Sequence, residues 1–150
     1  MQTRLPISLK LTSLVILMSL TITLPTTLAA SGAIPPGSYS TTITLADIPG
    51  DFPPEAADIL IGTWVAEFTP EGTSVIYRNG EVVVNGTYTS TRSHLVMRDL
   101  SGPLACTDAR GIATGIYTWS LVNNELHFNT VLDRCFGRMF VLTLRPMQSV

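Results

Sequence analysis

The chain has 150 residues, with nine Lys plus Arg against eleven Asp plus Glu, and two Cys. That length suits one domain with a modest core. A small acidic excess with no basic run excludes the usual binders of nucleic acid or anionic membrane surfaces.

The first thirty residues differ from the rest. Arg4 and Lys10 give a short positive segment, Leu11 to Leu24 form an apolar and hydroxyl run, and Pro25 breaks it. Thr27-Leu28-Ala29-Ala30 then offers small residues where a signal peptidase cuts, so residues 1–30 are expected to be a signal peptide cleaved near Ala29 or Ala30. The run is shorter than the roughly twenty residues that span a bilayer, so no stable membrane span is expected after processing. The remaining chain keeps seven Arg, no Lys and all eleven acids, a net charge of −4. Its two cysteines, Cys106 and Cys135, have no metal-ligand spacing, and in an exported chain they read as a disulfide.

Residues 31–38, with two Pro and two Gly, read as a linker, and the domain is expected over 39–150. Tyr39, Thr41, Ile43 and Leu45 share one side of a first strand. Pro54 and Glu55 suit the start of a short helix running to Ile61, which Gly62 stops. From Gly62 the apolar period is two. Trp64, Ala66 and Phe68 face inward, followed after the Asn79-Gly80 hairpin by Val82, Val84 and Tyr88. Leu95 and Met97 come next, then a long connection from Leu100 to Ala113 that holds Cys106. Tyr117, Trp119 and Leu121 precede an Asn123-Asn124 turn, and Leu126 and Phe128 follow it. Met139 to Arg145 is expected as the last strand.

This pattern predicts an all-β fold: an antiparallel up-and-down barrel of about eight strands, with one short N-terminal helix and one disulfide. Connections in such a meander alternate between ends, so the loops holding Cys106 and Cys135 fall at the same end and can be bridged. Closing that loop is worth roughly 3–4 kcal/mol in the chain-entropy account.

Candidate sites are sparse. Trp64, Phe68, Tyr88, Met97, Tyr117, Trp119 and Phe128 would line a cavity for a small apolar molecule, or fill the barrel as a packed core. No catalytic set, metal site or cofactor motif stands out. His94 and His127 read as surface residues, and there is no Gly-x-Ser-x-Gly elbow. Asp99 and Asp133 border the cysteine loops, with Arg134 and Arg138 as counter-ions; they read as turn formers and surface ion pairs, or as a small site. Asn85-Gly86-Thr87 matches an N-glycosylation acceptor pattern.

Gly62-Thr63-Trp64, after a short helix and before a run of antiparallel strands, resembles the Gly-x-Trp entrance of the calycins, the lipocalins and fatty-acid-binding proteins. Gly102-Pro103-Leu104-Ala105-Cys106, Gly115-Ile116-Tyr117-Thr118-Trp119 and Asp133-Arg134-Cys135-Phe136-Gly137-Arg138 are similar to small secreted bacterial lipocalin-like domains of unassigned function. The resemblance covers roughly Thr41 to Arg145. It implies that Trp64 closes one barrel end and that Arg145, from the final strand, packs across it. The chain lacks a Thr-Asp-Tyr motif and the helix that follows the lipocalin barrel.

Three functional readings follow. The first is an exported, non-enzymatic barrel binding a small apolar ligand. The second is a protein-interaction or inhibitor module acting through the Leu100 to Ala113 loop. The third is a barrel isomerase or cyclase using Asp99 or His94.

Overall fold

Eight antiparallel strands close into a barrel in which each strand pairs with its neighbour in sequence and the last returns to the first. The computed structural model describes residues 32–107 and 113–150. The expected signal peptide, and the tip of the long connection at 108–112, lie outside the described residues. Among the described residues, no helix is long and apolar enough to cross a membrane.

β1 (Gly37–Ile43) is followed by a 3-10 turn (Leu45–Asp47) and α1 (Pro54–Leu60). Then come β2 (Gly62–Phe68), β3 (Thr73–Arg78), β4 (Glu81–Ser90), β5 (His94–Ser101), β6 (Thr114–Val122) and β7 (Glu125–Leu132). α2 (Phe136–Thr143) and β8 (Met147–Ser149) complete the chain. The helix expected after Pro54 forms, but it lies between β1 and β2 and a second helix, α2, follows β7, so among the described residues the single N-terminal helix is corrected to two helices within the strand order. Met139 to Arg145 is a second correction, because α2 takes most of that segment and the closing strand starts only at Met147.

The turns follow from residue chemistry. Asn79 and Gly80 both have positive φ, at 53° and 85°, as a two-residue hairpin turn of this hand requires. Asn123 and Asn124 take the same region at 52° and 65°. Gly62 has φ 144°, and a Cβ there would sit 2.8 Å from Asn79 Oδ1, which accepts from the Thr63 N–H at 2.9 Å. The glycine before Thr63-Trp64 therefore lets the β3–β4 turn dock against the start of β2.

Three bulges set the phase of the strands. Opposite Ile76 and Tyr77 stand Val84 and Val82, which leaves Val83 as the extra residue. That residue shifts the alternation: Val83 and Val84 are buried, and Val82, expected inside, is 43% exposed. The other two bulges leave out Leu100, between β4 and β5, and Val131, between β6 and β7. Both of those are exposed. Leu121, also expected inside, is exposed as well, and Leu45, expected on the Tyr39 side of the first strand, falls in the 3-10 turn and is exposed.

The segment expected as a linker belongs to the folded unit. Ile34 is 1% exposed and its N–H donates to Ser90 Oγ, while the Tyr39 hydroxyl donates to the Pro35 carbonyl. This segment covers the barrel end that carries the β4–β5 and β6–β7 turns. The opposite end carries α1, the β5–β6 connection and the disulfide between Cys106 and Cys135, twenty-nine residues apart. We call it the clasp end.

Candidate functional site

At the clasp end α1 and α2 lie over the barrel opening, and beneath them is a cavity of about 110 Å³. Its walls are mostly apolar: Leu60, Trp64, Ile76, Val84, Met97, Leu104, Val141 and Leu142, with Asp99, Arg138 and the disulfide at one side. The volume is below the roughly 150 Å³ that holds benzene in an engineered apolar cavity. It suits a molecule of a few heavy atoms, not a fatty acid.

Trp64 is fixed in the cavity wall from two directions. Its indole Nε1 donates to the Leu60 carbonyl at 2.7 Å, tying β2 to the end of α1. Arg78 lies over its ring, 5.8 Å from the centroid, and donates to the Ile61 carbonyl at 2.8 Å. One guanidinium thus satisfies a helix-terminal carbonyl and covers an aromatic face. The cation expected over Trp64 was Arg145. That residue is half-exposed and pairs instead with Asp47 at 3.4 Å, because Arg145 sits past the end of α2 and not on a strand.

The polar side of the site is a buried cluster built from four elements. Arg138, on the first turn of α2, donates Nε and Nη2 to the two oxygens of Asp133 at 2.7 and 2.8 Å. Its Nη1 reaches Asp99 Oδ1 at 2.8 Å and the Ala113 carbonyl at 2.8 Å. Asp99 projects inward from β5 and accepts the Cys106 N–H at 2.9 Å, while Asp133 accepts the Cys135 N–H at 2.7 Å. The hydroxyl of Tyr117, on β6, donates to Asp133 Oδ2. Both cysteine backbones are therefore anchored to carboxylates that share one guanidinium.

Side-chain exposure is 7% for Arg138, 4% for Asp99 and 0% for Asp133. These are buried, charge-assisted bonds, not the surface ion pairs the sequence suggested. Gly115 makes room for them: a Cβ there would lie 2.8 Å from Asp133 Cγ and 2.9 Å from the Tyr117 ring. Burial, reinforced by the Asp133 carboxylate, pushes the Tyr117 hydroxyl far above its ordinary titration range. Burial works against the charge on Arg138, but its bonds to Asp133 and Asp99 outweigh that and hold the guanidinium protonated. The Asp99 carboxylate also lies close to the sulfurs of Cys106 and Cys135. Those sulfurs are bonded to each other, which removes the thiolates a metal would need.

Of the seven residues expected to line a ligand cavity, Trp64 and Met97 do so. Phe68, Tyr88, Tyr117 and Phe128 pack the barrel instead. Phe68 meets Tyr88 edge-on with centroids 4.8 Å apart, and Tyr117 meets Phe128 at 6.3 Å. Trp119 lies at the far end, half-buried, donating to the Thr91 carbonyl at 2.9 Å. Aromatics thus pack the lower barrel, and the cavity beside Trp64 lies under the helices. Val141 and Leu142 are absent from the expected lining because Met139 to Arg145 has the pattern of a strand. At helical spacing Arg138, Val141 and Leu142 form one face, and that spacing was the available signal.

The remaining candidates are dispersed. His94 is exposed in the turn region of the far end, remote from Asp99, and bonds Ser93 Oγ at 2.9 Å. His127 pairs with Glu125 at 3.4 Å on the outer surface. Arg134 and Asn85 are exposed.

Fold and site together define a closed eight-stranded antiparallel barrel with a disulfide-clasped end. Comparison with family models, with curated proteins and with solved structures finds no match to this chain.

Proposed function

We propose that this protein is an exported, non-enzymatic, lipocalin-like barrel that binds a small apolar molecule in the cavity beneath α1 and α2. The observation that carries the reading is a partly open, mostly apolar cavity of about 110 Å³ beside Trp64, in a barrel whose other half is packed with aromatic rings. The ligand is small because the cavity is small. A disulfide across the clasp end is in keeping with an oxidising, extracytoplasmic setting.

Trp64 borders the cavity and Trp119 does not, so a W119F protein isolates the reporter. Titrating that variant with cyclopentane is expected to shift Trp64 emission saturably. A linear or flat response would count against the reading.

A second reading, protein contact through the Leu100 to Ala113 connection, draws on apolar side chains around it. Leu100, Leu132 and Phe136 are 55%, 57% and 72% exposed. L100S/F136S protein, tested for partner capture against the native chain, checks it. Undiminished capture would remove this surface from consideration.

A further inference from the structure

The cavity beneath α1 and α2 is partly open, and the residues that line it differ in how much solvent they meet. Among the described lining residues only Ile59 and Gly137 are exposed, Ile59 at 47%. Leu104, Cys106 and Arg138 are half-buried, and the others are nearly all buried. A residue that faces both the cavity and water bounds the opening between them. Ile59 stands one residue before the end of α1, Gly137 is the second residue of α2, and the two helices touch.

Neither backbone shape nor crowding calls for glycine at position 137. Its backbone is helical, without the positive φ found at Gly62 and Gly80. A Cβ there would meet nothing within 4 Å, whereas at Gly115 it would press on Asp133 and Tyr117. Glycine also weakens a helix relative to alanine. What the missing side chain does provide is clear space at the rim of the cavity.

Resting on the cavity-binding reading, we infer that the apolar guest enters and leaves between Ile59 and Gly137, and that Gly137 keeps this entrance clear. Neither side-chain position brings a charge to the rim, in keeping with an apolar guest. A constriction raises the barrier equally for entry and exit, so it governs the exchange rates and leaves the equilibrium alone.

The test is stopped-flow mixing of cyclopentane with disulfide-intact W119F protein, which reads uptake from Trp64 emission; dilution of the complex reads release. When G137A and then G137L are added to that background, both rates are expected to fall with side-chain size, by about tenfold in G137L, with Kd nearly unchanged. I59A is expected to raise both rates. G137A places one carbon in open space, so it decides the matter if G137L does not fold. Rates indifferent to the side chain at position 137, or a weaker Kd with unchanged association, overturn the entrance while the cavity reading survives. If cyclopentane does not bind W119F protein at all, the cavity reading falls and the entrance falls with it.

Discussion

Arg138 grips Asp133 through two parallel hydrogen bonds, Nε to Oδ2 at 2.7 Å and Nη2 to Oδ1 at 2.8 Å, inside the barrel mouth and shielded from water. The pair joins the end of β7 to α2, and through Asp99 it reaches β5. It therefore holds together the parts of the clasp end that the strand ladder does not connect. Removing one partner of a buried ion pair leaves the other charge uncompensated. R138L protein is expected to lose about 3–5 kcal/mol of stability in urea denaturation with the disulfide intact. A loss of under ~1 kcal/mol would place the pair among surface bridges.

Gly115 belongs to the same arrangement although it carries no chemistry. A methyl group at this position would press on Asp133 Cγ and on the Tyr117 ring. G115A is expected to cost about 1–3 kcal/mol by displacing the carboxylate from its pocket of donors. Thermal melts of G115A beside R138L and the double variant check this. Additive losses would contradict a shared mechanism, since coupled sites are non-additive.

The phenol of Tyr117 titrates well above the ordinary tyrosine value of 10.0 because burial, aided by the Asp133 carboxylate, disfavours phenolate. A group whose folded pKa is raised contributes stability that is complete below the unfolded value and is lost as pH rises. The stability of the native protein is therefore expected to fall as pH climbs past 10, where the unfolded chain ionises and the folded one does not. Tyr39, Tyr77 and Tyr88 are shifted in the same direction, so Y117F should reduce the slope without abolishing it. Denaturation midpoints between pH 8 and 11 measure this, and an unchanged slope in Y117F would contradict it.

Much of the barrel was legible because side-chain alternation and turn chemistry are local. Asn79-Gly80 needs positive φ, and Trp64, Phe68, Met97, Tyr117 and Phe128 each sit at an apolar position of a period-two run. Cysteine pairing followed from two cysteines without metal spacing in a chain read as exported, and topology allows it, since alternate connections of a meander share an end. What failed was whatever depends on packing across the barrel. The bulge at Val83 has no sequence marker, so Val82 was placed inside.

Phe136 to Thr143 is a short apolar segment in which strand and helix are hard to tell apart, and α1 together with the Asp133 carboxylate gives the helical face its partners. That misreading carried the site with it. As a strand, the segment put Arg145 over Trp64 and hid Val141 and Leu142. As a helix, it delivers Arg138 between two aspartates. The carboxylates were visible as a pair at one end of the barrel, but their burial was not, because nothing in the local sequence shows that α2 lies over them.

The central claim is that the space under α1 and α2 takes up an apolar guest. Crystals of the disulfide-intact protein held under xenon gas test it most directly, because xenon enters apolar cavities without needing a polar partner. The account predicts a xenon peak among Trp64, Met97 and Leu142 and none among the packed rings of Phe68, Tyr88 and Phe128. An empty clasp end, with side chains collapsed into the space, would contradict it.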